Sequence, residues 1–219
     1  MTTSAIPPTP SRADYLDNGP RDMAWLGADD PIVLFETWLA QAGETEPSDP
    51  NAMSLATVDE TGQPDVRIVL LKGLSPKGFV FYSNSESAKG QQLEACPKGA
   101  LCFHWKSWKR QVRIRGRIEP VTDAESDAYF AGRARGSRIG AWASDQSRPV
   151  ASREALVDAV QAVEAKYDGQ DVPRPPHWYG WRVIPEAIEF WQDGAFRLHD
   201  RIVFTTSSKG DWTRTRLFP

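Results

Sequence analysis

Cysteine and histidine are scarce in this 219-residue chain, which has two of the first and three of the second. Cys96 and Cys102, with His104, His177 and His199, show no C-x-x-C or H-E-x-x-H spacing, so no metal site is expected. So few cysteines build no disulfide framework, and a reduced, cytoplasmic chain is the reading that fits. No run approaches the about 20 apolar residues of a membrane helix, and residues 1–28 lack the basic start and apolar core of a secretory signal. Charge of one sign is lacking too: 26 Lys and Arg against 29 acids leave a net −3, which argues against binding nucleic acid or an anionic membrane by bulk charge. Neither an internal repeat nor the G-x-G-x-x-G of dinucleotide sites occurs.

What remains is an ordinary globular composition, 40% hydrophobic and 25% charged, with nine tryptophans. The length suits one domain with an appendage. Residues 1–28 read as a flexible arm, rich in Thr, Ser and Pro in its first part, and 29–219 as the single domain. Asp30 and Pro31 open a helix with Ile32, Phe35, Trp38, Leu39 and Ala42 on its apolar face, ending at Gly43. Short strands follow at 52–58, 66–72 and 79–83, then a helix over 86–95 and strands at 100–106 and 110–119. Thr122 and Glu125 form a capping box for a helix to Gly132, and Ser152 caps another to Tyr167. After the stiff P-R-P-P, strands are expected at 178–184, 187–191, 197–205 and 212–217. The fold class is mainly β with inserted helices, a small barrel, since closure removes exposed strand edges.

Cations cluster at 67–72, 106–117 and 132–138, a pattern suited to a small anion. On the second cluster Gln111, Arg113, Arg115 and Arg117 share one strand face, and a merely solvated face is the better account of the three arginines. In the third, Arg133, Arg135 and Ser137 follow a helix in a glycine-flanked turn, a place where guanidinium, hydroxyl and N–H groups can converge on phosphate, and an ordinary solvated turn accounts for them equally well. Near the end Arg197, His199 and Arg201 fall on one side of a predicted strand, and the flanking cations favour a neutral imidazole. Trp191 is either a core residue or a platform for a planar ligand.

R-I-V-L-L-K-G from Arg67, F-Y-S-N-S-E-S-x-K at 81–89, S-R-I-G-A-W-A-S-x-Q-S at 137–147, and E-F-W-Q-x-G-x-x-R-L-H-D-R at 189–201 with the terminal R-L-F-P together closely resemble the pyridoxine (pyridoxamine) 5′-phosphate oxidase family. The likeness runs in order from about Asp30 to Pro219. It implies an FMN-binding split β-barrel, present as a homodimer with FMN in clefts at the subunit interface. It further implies oxidation of pyridoxamine or pyridoxine 5′-phosphate by O₂ to pyridoxal 5′-phosphate in vitamin B6 synthesis and salvage, with hydrogen peroxide released, and ammonia from the amine. By that resemblance FMN is held by Arg67, Ile68, Val69, Leu70, Leu71, Lys72, Tyr82, Ser83, Lys89, Gln111, Gln146, Ser147, Trp191 and Arg201, some of the last four from the second subunit. Lys72, Tyr129, Arg133 and Ser137 match the substrate phosphate pocket, and Arg197 and His199 the catalytic pair over the pyridine ring. Arg12 and Tyr15 match an R-x-x-Y that covers bound substrate. The family's S-R-K has Ala88 at its middle position here, which removes a cation from the FMN phosphate site. Two rivals stand beside this reading: a split-barrel flavin oxidoreductase with another substrate, and a non-catalytic FMN or pyridoxal phosphate carrier.

Overall fold

A computed structural model describes residues 9–16, 22–207 and 210–219. The parts of the expected arm at 1–8 and 17–21 lie outside the described residues. Within it, Arg12–Leu16 form the short helix α1, opened by a reciprocal cap in which the Ser11 N–H donates to Asp14 Oδ2 (2.7 Å) and the Asp14 N–H to Ser11 Oγ (3.4 Å). The remaining helices are α2 (Pro31–Thr45), α3 (Ala88–Ala95), α4 (Asp123–Ala131), α5 (Arg135–Ala143) and α6 (Arg153–Lys166). The strands are β1 (Ala52–Val58), β2 (Pro64–Leu70), β3 (Gly73–Ser75), β4 (Gly78–Asn84), β5 (Lys98–Trp105), β6 (Arg110–Pro120), β7 (Trp178–Gln192), β8 (Asp200–Thr206) and β9 (Trp212–Leu217).

The chain divides into two compact units, and it passes between them within β5, β6 and β7. One unit comprises Asn51–Phe103 and Arg113–Glu186. Its strands run in the order β2-β1-β5-β6-β7-β4-β3, and the paired registers β1/β2, β1/β5, β3/β4 and β4/β7 are antiparallel. β4 is buried along both faces, which is why G-F-V-F-Y-S-N lacks the polar alternation of a half-exposed strand. Leu55, Phe79, Phe81, Leu101, Phe103, Ile114 and Val183 are fully buried there, each adding about 1.5–3 kcal/mol by leaving water. Arg113, Arg115 and Arg117 are exposed, so the solvated-face reading of that cluster describes them in this chain.

The other unit comprises Met1–Pro50, His104–Val112 and Ala187–Pro219. α2 is capped by Asp30, whose carboxylate accepts from the N–H groups of Ile32 (2.7 Å) and Val33 (3.2 Å). The helix continues through Gly43 to Thr45, because burial of Leu34, Phe35, Trp38 and Ala42 outweighs the local cost of one glycine. Trp38 packs edge-on against Trp25 and Phe190, and the buried Arg110 guanidinium lies 4.3 Å over its ring. The second half of β7 pairs β8 and β8 pairs β9, both antiparallel.

Three local expectations are corrected. β7 is one strand of 15 residues and not two. Pro185 sits between the span that pairs β4, ending at Val183, and the span that pairs β8, beginning at Ala187, so its missing N–H leaves neither ladder short. Residues 135–143 are helical although a turn was expected. Arg135 donates to the carbonyls of Tyr167 and Gln170 (2.7 Å each), Arg138 pairs with Asp171 and Trp142 Nε1 donates to Pro173 O, so tertiary anchors override Gly136 and Gly140. Finally, β8 starts only at Asp200, and Ala195–Arg197 form a 3-10 turn. Arg197, His199 and Arg201 therefore do not alternate along one strand.

Candidate functional site

β2, β4, α3, α4 and the segment after α5 converge on a cavity of about 340 Å³ within the unit of 51–103 and 113–186. Ile68, Val69, Leu70 and Lys72 line it from β2 and the residues after it, and Tyr82, Ser83 and Asn84 from β4. Lys89 enters from α3, Tyr129 and Arg133 from α4 and the turn after it, and Ala141, Ser144, Gln146 and Trp178 complete the wall.

Lys89 is buried, and its Nζ donates to Ser87 Oγ (3.1 Å) and Gln146 Oε1 (3.0 Å). Ser87 is itself the N-cap of α3, accepting from the Gly90 N–H, and its hydroxyl donates to Asn84 O (2.7 Å). Burial of the ammonium, reinforced by the positive charge of Arg67 and opposed by Asp65, brings its pKa from 10.5 down to about 8. This desolvated ammonium beside the positive end of a helix has no carboxylate bonded to it among the described residues, and a phosphate monoester matches that need.

A second cationic group belongs to the same cavity. The rings of Tyr82 and Tyr129 stack at 3.9 Å and 8°, and Trp178 lies parallel to both within 10°. Gly180 makes room for this: in β4/β7 register it faces Tyr82, and a Cβ there would lie 2.7 Å from Tyr82 Cε1 and 2.6 Å from Val121 Cγ2. The Arg133 guanidinium rests 4.6 Å over Trp178 and 5.5 Å over Phe130, with Nη1 buried and unbonded. Lys72 is exposed at the cavity wall. α4 is fixed by the expected capping box, by Arg182 on Glu125, and by Arg174 on Asp123 and Asp127.

The structure thus brings together Ile68, Val69, Leu70, Lys72, Tyr82, Ser83, Lys89, Gln146, Tyr129 and Arg133. Other residues in the expected set sit differently. Leu71 is buried in the core. Arg67 turns its guanidinium to Leu55 O, Thr57 Oγ1, Asp65 and Gln92. Ser137 is exposed on α5, and Ser147 follows Gln146 in a left-handed conformation (φ 73°). Ala88 is exposed on the first turn of α3, in a separate depression shared with Asp59, Glu60 and Gln92. Asn84, Ser144 and Trp178 line the cavity without having been singled out. Asn84 lies inside the motif at 81–89 and Ser144 inside that at 137–147, while Trp178 stands one residue beyond the proline-rich connector, at the start of the expected strand.

Gln111, Trp191, Arg197, His199, Arg201, Arg12 and Tyr15 belong to the other unit. Gln111 is half-buried on β6. Arg197 is exposed with φ 63°, following Phe196 at 55°. His199 Nδ1 lies 3.1 Å from both the Gly194 nitrogen and Asp193 Oδ1, and the imidazole is 4.6 Å from the Trp191 ring. Arg201 pairs with Glu189 at 2.9 Å and donates to Phe218 O. Tyr15 meets Phe196 at 5.3 Å, which places the R-x-x-Y segment beside the 195–197 turn.

Against known proteins, residues 39–167 match the sequence profile described as pyridoxamine 5′-phosphate oxidase, and 178–219 that of the pyridoxine 5′-phosphate oxidase C-terminal dimerisation region. The pyridoxine/pyridoxamine 5′-phosphate oxidase of Hyphomonas neptunium is 57% identical over 220 residues, covering all of both chains. The chain belongs to the pyridoxamine 5′-phosphate oxidase family. The Azorhizobium caulinodans pyridoxine/pyridoxamine 5′-phosphate oxidase is 61% identical over 196 residues, 89% of this chain and 92% of that one. Among solved structures, PhzG from Burkholderia lata 383, in complex with tetrahydrophenazine-1-carboxylic acid, superposes with TM-score 0.85 at 29% identity, covering 92% of this chain and 98% of that one. A pyridoxamine 5′-phosphate oxidase-related, FMN binding protein from Nostoc punctiforme gives TM-score 0.71 at 14% identity, over 88% of this chain and all of that one, and shows the shared fold. The fold is the split β-barrel of this family, as expected. As a member the chain is a flavin oxidoreductase with FMN as cofactor. No helix among the described residues is long and apolar enough to cross a membrane.

Proposed function

We propose that this oxidase converts pyridoxamine 5′-phosphate or pyridoxine 5′-phosphate to pyridoxal 5′-phosphate, with O₂ reduced to hydrogen peroxide and, from the amine, water supplying the aldehyde oxygen as ammonia is released. The observation that carries the reading is that one cavity holds two cationic groups, Lys89 with Gln146, and Lys72 with Arg133. Two phosphorylated molecules, a flavin mononucleotide and a phosphorylated pyridine, need such a pair. Bound FMN supplies the two-electron acceptor that no side chain provides.

The rest is positioning. Lys89 and Gln146 hold the flavin phosphate, with Ser87 behind them accepting from the Lys89 ammonium, and Ile68, Val69 and Leu70 offer the apolar wall and strand backbone beside it. Lys72, Arg133 and the Tyr129 hydroxyl take the substrate phosphate, spending binding energy remote from the reacting carbon on its alignment. Arg197 and His199 act on the pyridine ring, with the Nδ1 neighbours Gly194 and Asp193 fixing the imidazole orientation. In this reading the protein is a homodimer with FMN at the interface, and the dimerisation segment carries Trp191, Arg197, His199 and Arg201 to the flavin sites.

Adding pyridoxamine 5′-phosphate to FMN-loaded protein under air is expected to yield peroxide and pyridoxal 5′-phosphate in equal amounts. No peroxide from either phosphorylated vitamer, with turnover of another reductant, would instead establish the rival flavin oxidoreductase. Flavin binding without turnover of any reductant would establish the carrier.

A further inference from the structure

Arginines near the cavity are mostly neutralised. Arg138, Arg148, Arg174 and Arg182 each pair with carboxylates, and Arg135 donates to two carbonyls. Arg133 differs: it has no carboxylate partner among the described residues, and its guanidinium is held by aromatic faces, 4.6 Å over Trp178 and 5.5 Å over Phe130. An indole face steadies a cation through its quadrupole without cancelling its charge, so the guanidinium is fixed in place and still lacks an anion. Trp178 is itself immobilised. It is 6% exposed, parallel to Tyr82 and Tyr129, edge-on to Phe130 at 5.0 Å, and its backbone carbonyl accepts from Arg174 Nη1 at 2.9 Å. The platform therefore has one position, and so does the cation on it.

We propose that Trp178 is the positioning residue for phosphate recognition: its indole face holds Arg133, uncompensated by any carboxylate among the described residues, in register with the substrate phosphate. This rests on the assignment of Arg133 to that phosphate. The role predicts a loss confined to phosphorylated ligands and graded by the π face at position 178. A merely structural role would disturb ligands with and without phosphate alike.

The test uses the FMN-loaded protein and compares Trp178→Phe, which keeps a weaker π face, with Trp178→Met, which keeps apolar bulk without one. Kd is measured calorimetrically for pyridoxal 5′-phosphate and for pyridoxal, alongside KM and kcat for pyridoxamine 5′-phosphate. Trp178→Met is expected to weaken pyridoxal 5′-phosphate binding at least tenfold and Trp178→Phe at most threefold, with pyridoxal unchanged and the kinetic loss falling on KM more than on kcat. Equal losses for the two ligands, or no loss in Trp178→Met, overturn the role of Trp178. A parent protein that binds both ligands equally overturns the phosphate assignment, and the proposal with it. Should Trp178→Met lose its fold or flavin, Trp178→Phe is measured again in an Arg133→Gln background. Its effect on pyridoxal 5′-phosphate must vanish there, and persistence overturns the proposal.

Discussion

With Lys89 at the flavin phosphate, as proposed, flavin affinity depends on pH with a definite sign. Its pKa is lowered from 10.5 to about 8 by burial, so about nine-tenths of the apo-protein carries the proton at pH 7 and about one-tenth at pH 9. The flavin phosphate, with a second pKa near 6, stays a dianion throughout that window. If the dianion requires the ammonium, apparent FMN affinity falls about tenfold from pH 7 to pH 9, or about 1.4 kcal/mol. Lys89→Met removes a charge-assisted hydrogen bond worth about 1.5–3 kcal/mol, so its affinity at pH 7 is about 10- to 100-fold weaker, and its profile is flat. Folding responds with the opposite sign. A lysine whose folded pKa is depressed binds fewer protons folded than unfolded between pH 8 and 10, so apo-protein stability from this group rises with pH across that window. Below pH 8 the charge costs up to about 3 kcal/mol, which Lys89→Met relieves, less the bonds lost to Ser87 and Gln146. Fluorescence titration of apo-protein with FMN from pH 7 to 9, with riboflavin as the phosphate-free control, measures the first effect, and urea unfolding at pH 7 and 10 the second. A flat FMN profile in the parent, or a slope that survives in Lys89→Met, refutes the reasoning.

Arg197→Ala is expected to lower kcat/KM for pyridoxamine 5′-phosphate at least tenfold, about 1.4 kcal/mol, with FMN still bound; steady-state kinetics on flavin-quantified protein check this, and an unchanged kcat/KM counts against its place on the ring. Gly180→Ala puts a Cβ 2.6–2.7 Å from Val121 and Tyr82, so a stability loss of about 1–3 kcal/mol from overpacking is expected in denaturant melts, together with weaker flavin binding as Tyr82 shifts. Ala88→Arg would restore the family's cation, but the residue lies with Asp59 and Glu60 outside the cavity. The expected gain in FMN affinity is therefore under about threefold, since exposed ion pairing is worth at most about 1 kcal/mol and those acids compete for the side chain; a tenfold gain in the same titration would show that the side chain reaches the phosphate.

The sequence by itself determined what depends on neighbours along the chain. Asp30 with Pro31, Thr122 with Glu125, and Ser152 all cap the helices they announce, because such bonds close over two or three residues and need nothing from the rest of the fold. The alternation in Q-V-R-I-R-G-R placed its arginines outside for the same reason: a strand's period is local. The motifs pointed to the residues of the cavity, Lys89 and Arg133 above all. Tertiary structure alone decided how they are used. Lys89 meets Gln146 across 57 residues, and Arg133 acquires its platform from Trp178, on a strand that reaches α4 only through the fold. Helix α5, against its glycines, and the turn at 195–197, against its strand-like pattern, were likewise settled by distant partners: carbonyls and a carboxylate at 167–173 for the first, α1 for the second. Local preference differs by about 1 kcal/mol per residue at most of these positions, and a few buried contacts or charged hydrogen bonds exceed it.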